Sequence, residues 1–330
     1  MTHDLEQGSP SAAIPPVTRQ RRHATRVGER GSRTWRTALI ALAAFAVVLA
    51  SGSAIAGAAA PGGWIVFAAT PPGPPTNQLF RIQVSGKGLQ QITTGKLGSI
   101  APAFSPDGKR IAFARGGAGI FTVNLDGTGL RRLTTDGRDS FPTWSPDGKQ
   151  IAFNRIAELE WHIYVMSSSG AGERRLAKAP QAGRPTWAAS GLLLSTGGDL
   201  VKLDPATGKV EKYFGADVDA VFGLNTVAVS PDASTIAFLG MRNGDPGDMD
   251  CGDGPCQRYA LYIENIRKSA NPRKLVPDVG PAAFSPDGKS LVFAAQNGLV
   301  IRSLVDGTSK KISTGDAFIS GAAPPAWQPR

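Results

Sequence analysis

Pro102-Ala-Phe-Ser-Pro-Asp-Gly-Lys-Arg-Ile-Ala-Phe113 is a phrase that the chain repeats. It returns as Pro142-Thr-Trp-Ser-Pro-Asp-Gly-Lys-Gln-Ile-Ala-Phe153, as Val227-Ala-Val-Ser-Pro-Asp-Ala-Ser-Thr-Ile-Ala-Phe238 and as Ala282-Ala-Phe-Ser-Pro-Asp-Gly-Lys-Ser-Leu-Val-Phe293. A degenerate copy, Pro185-Thr-Trp-Ala-Ala-Ser-Gly-Leu-Leu-Leu194, and a truncated one, Pro325-Ala-Trp-Gln-Pro-Arg330, complete the set. The anchor residues Phe104, Trp144, Trp187, Val229, Phe284 and Trp327 are spaced by 40, 43, 42, 55 and 43 positions. A period of about 40–45 residues with strand-like runs and turn residues is that of a four-stranded propeller blade.

Each copy reads as four strands. Strand a is Pro-x-aromatic-Ser-Pro. Asp-Gly supplies a tight turn, since Gly accepts a positive φ and Asp hydrogen-bonds the turn backbone. Strand b is Ile-Ala-Phe, strand c is a run such as Ile120-Phe-Thr-Val or Ile163-Tyr-Val-Met, and strand d is a short basic segment such as Arg131-Arg-Leu. The ends of the repeat region set the blade count. It opens on a strand b (Trp64–Phe67), continues with c (Leu79–Ile82) and d (Gln90–Ile92), and closes on a strand a, Pro325-Ala-Trp327. Three strands from one end and one from the other make a sixth blade and cover two open sheet edges. The fold class expected over residues 61–330 is therefore all-β, a six-bladed β-propeller with a 3+1 closure.

Residues 1–36 are polar and basic, with seven Arg against three acids, and carry no apolar periodicity, so they read as a disordered cytoplasmic head. Residues 37–60 follow with the apolar run Ala38–Ala50 and then small residues, Ala54-Ile-Ala and Ala56-Gly-Ala among them. A basic flank, an apolar stretch and Ala-x-Ala sites make an export segment, either a cleaved signal peptide or an uncleaved single-pass anchor. Either way the Arg-rich end stays in the cytoplasm and the propeller lies outside, secreted, periplasmic or tethered to the membrane.

The whole chain has a formal charge of +10. The head takes seven of the 36 basic and three of the 26 acidic residues, which leaves +6 on the remainder. For an exported chain this does not point to nucleic acid. The basic pairs of strand d, from Arg131/Arg132 to Lys310/Lys311, are explained by protection of the outer sheet edges. Only three His occur, and His162 alone lies outside the head, which excludes multi-His metal centres and leaves no nucleophile pattern beside it.

The repeated Pro-x-Trp/Phe-Ser-Pro-Asp-Gly-Lys-x-Ile-Ala-Phe resembles the WD-like propeller repeat of TolB, and that of the propellers of prolyl-oligopeptidase-type proteins, over about residues 63–330. The resemblance implies a six-bladed propeller with a binding role. It does not extend to TolB's N-terminal α/β domain or to a peptidase domain, and no Gly-x-Ser-x-Gly is present. TolB's own partners and peptidase activity are accordingly not implied.

Strand alternation sorts the connections. The a–b and c–d turns share one face. The b–c and d–a loops share the other and read as long and irregular, including 70–77, 154–160, 215–225 and the loop 240–256. Long loops on a rigid scaffold are where binding usually resides. Arg115, Arg155 and Arg242, after strand b, and Arg138 in a d–a loop are the candidate contacts for a ligand or partner. In the loop 240–256, Cys251 and Cys256 are expected to form a disulfide in an exported protein. Asp245, Asp248, Asp250 and Asp253 are either a solvated acidic cluster or a Ca²⁺ ligand set. The functional expectation is a monomeric, cofactor-free, non-enzymatic scaffold that binds an envelope protein or polysaccharide. The alternative is a carbohydrate-active lyase or hydrolase using loop carboxylates in the propeller funnel.

Overall fold

A computed structural model describes residues 63–73, 76–157, 160–178, 184–196, 199–215, 220–242, 260–266, 272–277, 279–295, 298–319 and 323–329. The basic head, the apolar segment 37–60, Cys251, Cys256 and the four clustered Asp lie outside these residues. The chain divides into Met1–Ile55 and Ala56–Arg330, and the fold belongs to the second unit.

That unit is a six-bladed β-propeller of antiparallel sheets. Blade 2 is typical, with strand a at Ser99–Phe104, b at Arg110–Arg115, c at Gly119–Asn124 and d at Arg131–Arg132. Blade 3 spans Asp139–Lys178, blade 4 Thr186–Gly215, blade 5 Ala220–Pro277 and blade 6 Ala282–Ile312. Blade 1 takes strands b, c and d from Trp64–Thr70, Gln78–Gln83 and Gln90–Gln91. Its strand a comes from the other end of the chain in two pieces. Ala326 pairs with Val66 and Trp327 with Ile65, while Phe318 and Ile319 pair with Thr70 and Ala69. Gln328 locks the closure: its Oε1 accepts from the Trp64 N–H at 3.2 Å and its Nε2 donates to the Gly108 carbonyl at 3.0 Å. The 3+1 arrangement read from the repeat is thus present, with a second strand segment that the truncated motif did not announce.

The Ser-Pro-Asp-Gly-Lys stretch builds the a–b hairpin chemically. Ser105 Oγ donates to Asp107 Oδ1 at 2.5 Å and accepts from the Arg110 N–H, while Asp107 accepts from the Lys109 N–H. The same net recurs at Ser145/Asp147, Ser230/Asp232 and Ser285/Asp287. These hydrogen bonds favour the ionised acid, and those from Ser230 and Ser234 bring Asp232 down to about 2. Gly108, Gly148 and Gly288 hold φ of 66–70° in the turn, and Ala233 takes the same left-handed place at 52°.

The core sits between the blades. Six apolar clusters fill the six blade-to-blade interfaces among the described residues. One joins Ile65, Phe67 and Trp327 of blade 1 to Val292 and Leu299 of blade 6, so the ring is closed by the same burial that forms its other joints. Trp144 spans a joint with its ring in one cluster and its Nε1 donating to the Ala103 carbonyl of blade 2.

The basic residues of the outer strands also tie the ring together. Arg131 donates to the Ser169 carbonyl, Arg174 to the Pro205 carbonyl and Lys310 to the Val84 and Ser85 carbonyls, each in the c–d turn of the following blade. Arg81 does the same from strand c of blade 1 to Leu125. Edge protection is therefore only part of their role.

Two loops expected on the irregular face are largely strand. In blade 3, b runs Gln150–Ala157 and c runs Glu160–Ser167, paired from Ser167↔Gln150 to Glu160↔Ala157. Residues 154–160 are thus mostly hairpin, because cross-strand pairs such as Trp161↔Ile156 continue the ladder past the motif. In blade 5, strand a is Ala220–Val229, with an irregularity between Phe222 and Val227, so most of 215–225 belongs to the sheet.

Candidate functional site

Arg115, Arg138 and Arg155 fall in distinct surroundings. Arg115 ends strand b of blade 2, and Arg155 holds the equivalent place in blade 3, two residues after the motif Phe in each case. Arg155 is enclosed by acids. Its Nε and Nη2 meet Asp139 at 2.5 and 2.9 Å, its Nη1 meets Glu173 at 2.7 Å, and Asp136 lies 3.3 Å from Nε. Its guanidinium also stacks on Tyr164, 4.3 Å from the ring centre. The bonds to Asp139 and then Glu173 hold Arg155 above its ordinary pKa, whereas burial pushes the Asp139 carboxyl up against the pull of the arginine. Arg138 is exposed and forms a fork with Asp136, Nε to Oδ1 at 2.9 Å and Nη2 to Oδ2 at 2.6 Å. Arg242 ends strand b of blade 5 opposite Ala220.

Among the described residues Arg115 meets no carboxylate. Its Nη2 donates to the Thr94 carbonyl at 2.8 Å, and its guanidinium lies 5.5 Å from the Phe121 ring and 5.9 Å from Phe113. The cross-strand partner that is Asp139 in blade 3 is Ser99 here, and Leu130 stands where Glu173 stands. Ser99 Oγ and Arg115 Nε are both buried without a hydrogen-bond partner. Arg132 shares the other contact with Phe121, at 5.8 Å, and donates to the carbonyls of Ala118, Thr134 and Thr135. Two guanidinium groups thus share one ring, and among the described residues neither forms an ion pair. Burial lowers the pKa of Arg115, as expected of a cation without a counter-charge.

The strand-a segments of all six blades converge on an axial cavity of about 140 Å³. Its wall is mainly Pro and Ala, and Arg184 is its one charged residue. The Arg184 guanidinium lies 3.8 Å from the centre of the Phe141 ring. Burial brings Arg184 down to about 10, so it stays protonated at neutral pH. Sequence reasoning passed over this residue. A signal was present: the position before the strand-a motif is Ala101, Phe141, Arg184, Thr226, Pro281 and Pro324 in the six copies, and only one is charged.

The motif aspartates are bound into turns, as their repeat position indicated. His162 is buried within strand c of blade 3. Among the described residues no group of three or more His, Cys, Asp or Glu is placed to hold a metal ion. The expected Cys251–Cys256 bridge and the Asp245, Asp248, Asp250 and Asp253 cluster fall outside the described residues.

Residues 33–196 match the family described as the TolB beta propeller domain. No curated protein sequence matches the chain. Among solved structures, TolB from Acinetobacter baumannii is 21% identical with a TM-score of 0.65, over 81% of this chain and 67% of that one. A putative TolB from Agrobacterium tumefaciens is 15% identical with a TM-score of 0.54, over 80% and 93%. An oligogalacturonate lyase in complex with manganese is 11% identical with a TM-score of 0.51, over 73% and 72%. At these identities the likeness to solved structures shows the fold alone. With the motif copies and the closed ring, the family match places this chain among the TolB-like six-bladed β-propellers.

Proposed function

We propose that the propeller is an extracytoplasmic, non-enzymatic scaffold that docks an acidic envelope partner on its b–c/d–a face at Arg115. The observation that carries this reading is the contrast between equivalent arginines. Arg155 is neutralised within its own blade, while among the described residues Arg115 and its neighbour Arg132 meet carbonyls and rings and no acid. Two unpaired cations on one ring repel each other, and an incoming carboxylate relieves that repulsion while gaining two charge-assisted donors. The basic head and apolar segment ahead of the propeller support export. The fold also serves a lyase among its structural neighbours. For this chain the binding reading is preferred, because none of the residues lining the described axial cavity is a carboxylate able to act as acid or base.

The test is capture of envelope components from a native extract by the wild type and by Arg115→Glu and Arg138→Glu. The Arg115 reversal should abolish capture of the acidic partner, and the loss should be largest at low salt. Reversal at Arg138, already paired with Asp136, should change capture little. Capture that survives Arg115→Glu would remove the reading, and release of a neutral or basic partner would contradict its chemistry.

A further inference from the structure

We infer that a notch in blade 4, on the face opposite Arg115, is a binding site for one neutral hexose unit, held by its hydroxyls between Lys202 and the neighbouring carboxylates. In the other five blades one main-chain bond straps the c–d turn to the start of strand b. The N–H groups of Val84, Leu125, Ser168, Ile266 and Leu304 donate to the carbonyls of Gly63, Lys109, Lys149, Ser234 and Lys289. Blade 4 has Pro205 at that position, two residues beyond the Leu192↔Leu203 pair, and proline has no N–H to give. Its a–b hairpin is also shorter. Ala189 and Ser190 alone join Ala188 to its partner Gly191, where Pro146-Asp147-Gly148-Lys149 join Ser145 to Gln150 in blade 3. With the strap missing and the hairpin cut back, a cavity of about 340 Å³ opens between the two turns, with Gly191, Lys202, Asp204, Pro205, Lys209 and Glu211 in its wall. The c–d turn is nonetheless fixed. Arg174 of blade 3 donates to the Pro205 carbonyl at 2.6 Å, and Asp204 accepts from the Ala206 N–H and the Thr207 hydroxyl.

The wall is polar and its charges balance. Lys209 pairs with Glu211 at 2.7 Å. Among the described residues Lys202 has neither a hydrogen bond nor an ion pair. Its stem lies over Gly191, where an added Cβ would stand 2.9 Å from the lysine Cε. The Ala206 N–H and Thr207 hold Asp204 below the usual carboxylate range, and Lys209 does the same for Glu211, so two anions face two cations at neutral pH. Such a wall rewards neither net charge. An anion at Lys202 also meets Asp204 and Glu211, and a cation at the acids also meets both lysines. Hydroxyl groups gain from both, since each donates to a carboxylate lone pair and accepts from an ammonium. The volume lies at the lower end of the range for small-molecule sites. At roughly 30 Å³ per water-sized group it holds about eleven such groups, which is the size of one hexose. The notch shares no residue with the Arg115 surface.

The experiment measures binding to the full chain by ligand-observed NMR and calorimetry. The probes are glucose, galactose and mannose, the methyl α-glycoside of each, glucuronate, glucosamine and serine. At least one neutral sugar should bind, and more tightly than glucuronate, glucosamine or serine. A glycoside that binds as well as its parent sugar supports a unit of a polysaccharide, and loss on glycosylation supports a free sugar; both keep the neutral hexose. Lys202→Met should weaken binding by about tenfold, the worth of one charge-assisted hydrogen bond. Glu211→Gln removes one negative charge and should move the preference toward glucuronate. Should Lys202→Met fail to fold, the comparison of neutral with charged probes on the wild type decides alone. Tighter binding of glucuronate, glucosamine or serine than of every neutral sugar, binding of none, or binding unchanged by Lys202→Met would overturn the inference, whatever the Arg115 test returns.

Discussion

Blades 2 and 3 carry the two most similar copies of the repeat, and they treat the same arginine in opposite ways. Ile-Ala-Phe-Ala-Arg115 and Ile-Ala-Phe-Asn-Arg155 run in equivalent strands over equivalent aromatic rings. Around Arg155 lie Asp139, Glu173 and Asp136; Arg115 has Ser99 as its cross-strand partner and donates to the Thr94 carbonyl. The backbone is shared, so the difference resides in residues outside the motif. It teaches that the repeat sets where a cation stands, while its neighbours decide whether it is a structural clamp or a surface for another molecule.

The largest expected effect breaks the clamp. Asp139→Ala would strip a buried carboxylate from Arg155 and should cost about 3–5 kcal/mol in chemical denaturation. Arg115→Ala in the same assay should cost only about 1–2 kcal/mol, for one carbonyl hydrogen bond and its ring contacts. Equal losses from the two would erase the contrast between the blades. A second variant converts one blade into the other. Ser99→Asp places a carboxylate opposite Arg115 and should raise stability at neutral pH by about 1 kcal/mol. It should also weaken capture of an acidic partner. Greater stability with undiminished capture would show that Arg115 is not the docking group. The smallest change tests how far the motif acts independently of its surroundings. Ala233 occupies the left-handed turn position that Gly fills at 108, 148 and 288. Ala233→Gly relieves that conformation and should stabilise by about 0.5–1 kcal/mol, visible as a modest rise in thermal midpoint. A loss instead would mean that contacts special to blade 5 hold Ala233 in place.

The parts of the fold that were legible rest on local chemistry. Asp107-Gly108 and its copies announce a hairpin because the turn needs a positive φ and a nearby acceptor, and both needs are met within five residues. The less legible parts depend on continuation of a ladder. Residues 154–157, 160 and 220–225 carry no repeated motif, and only the continued ladder makes them strand. The basic residues of strand d were readable as edge protection. Their bonds to the next blade's carbonyls were not, since the acceptors Ser169, Pro205 and Val84 have no recognisable side-chain signal. Arg184 was visible as the one charge at its repeat position, but only an axial view gives that position meaning.

The six blades, the hairpin turns and the strand that closes the ring follow from the repeat, because alternation and turn residues act over a few positions and recur with the motif. Only the tertiary structure decided which arginines are neutralised and which one lines the axis. Ion pairing and burial are set by side chains from separate strands, loops and blades, brought together by register and ring closure, and no single repeat contains them all.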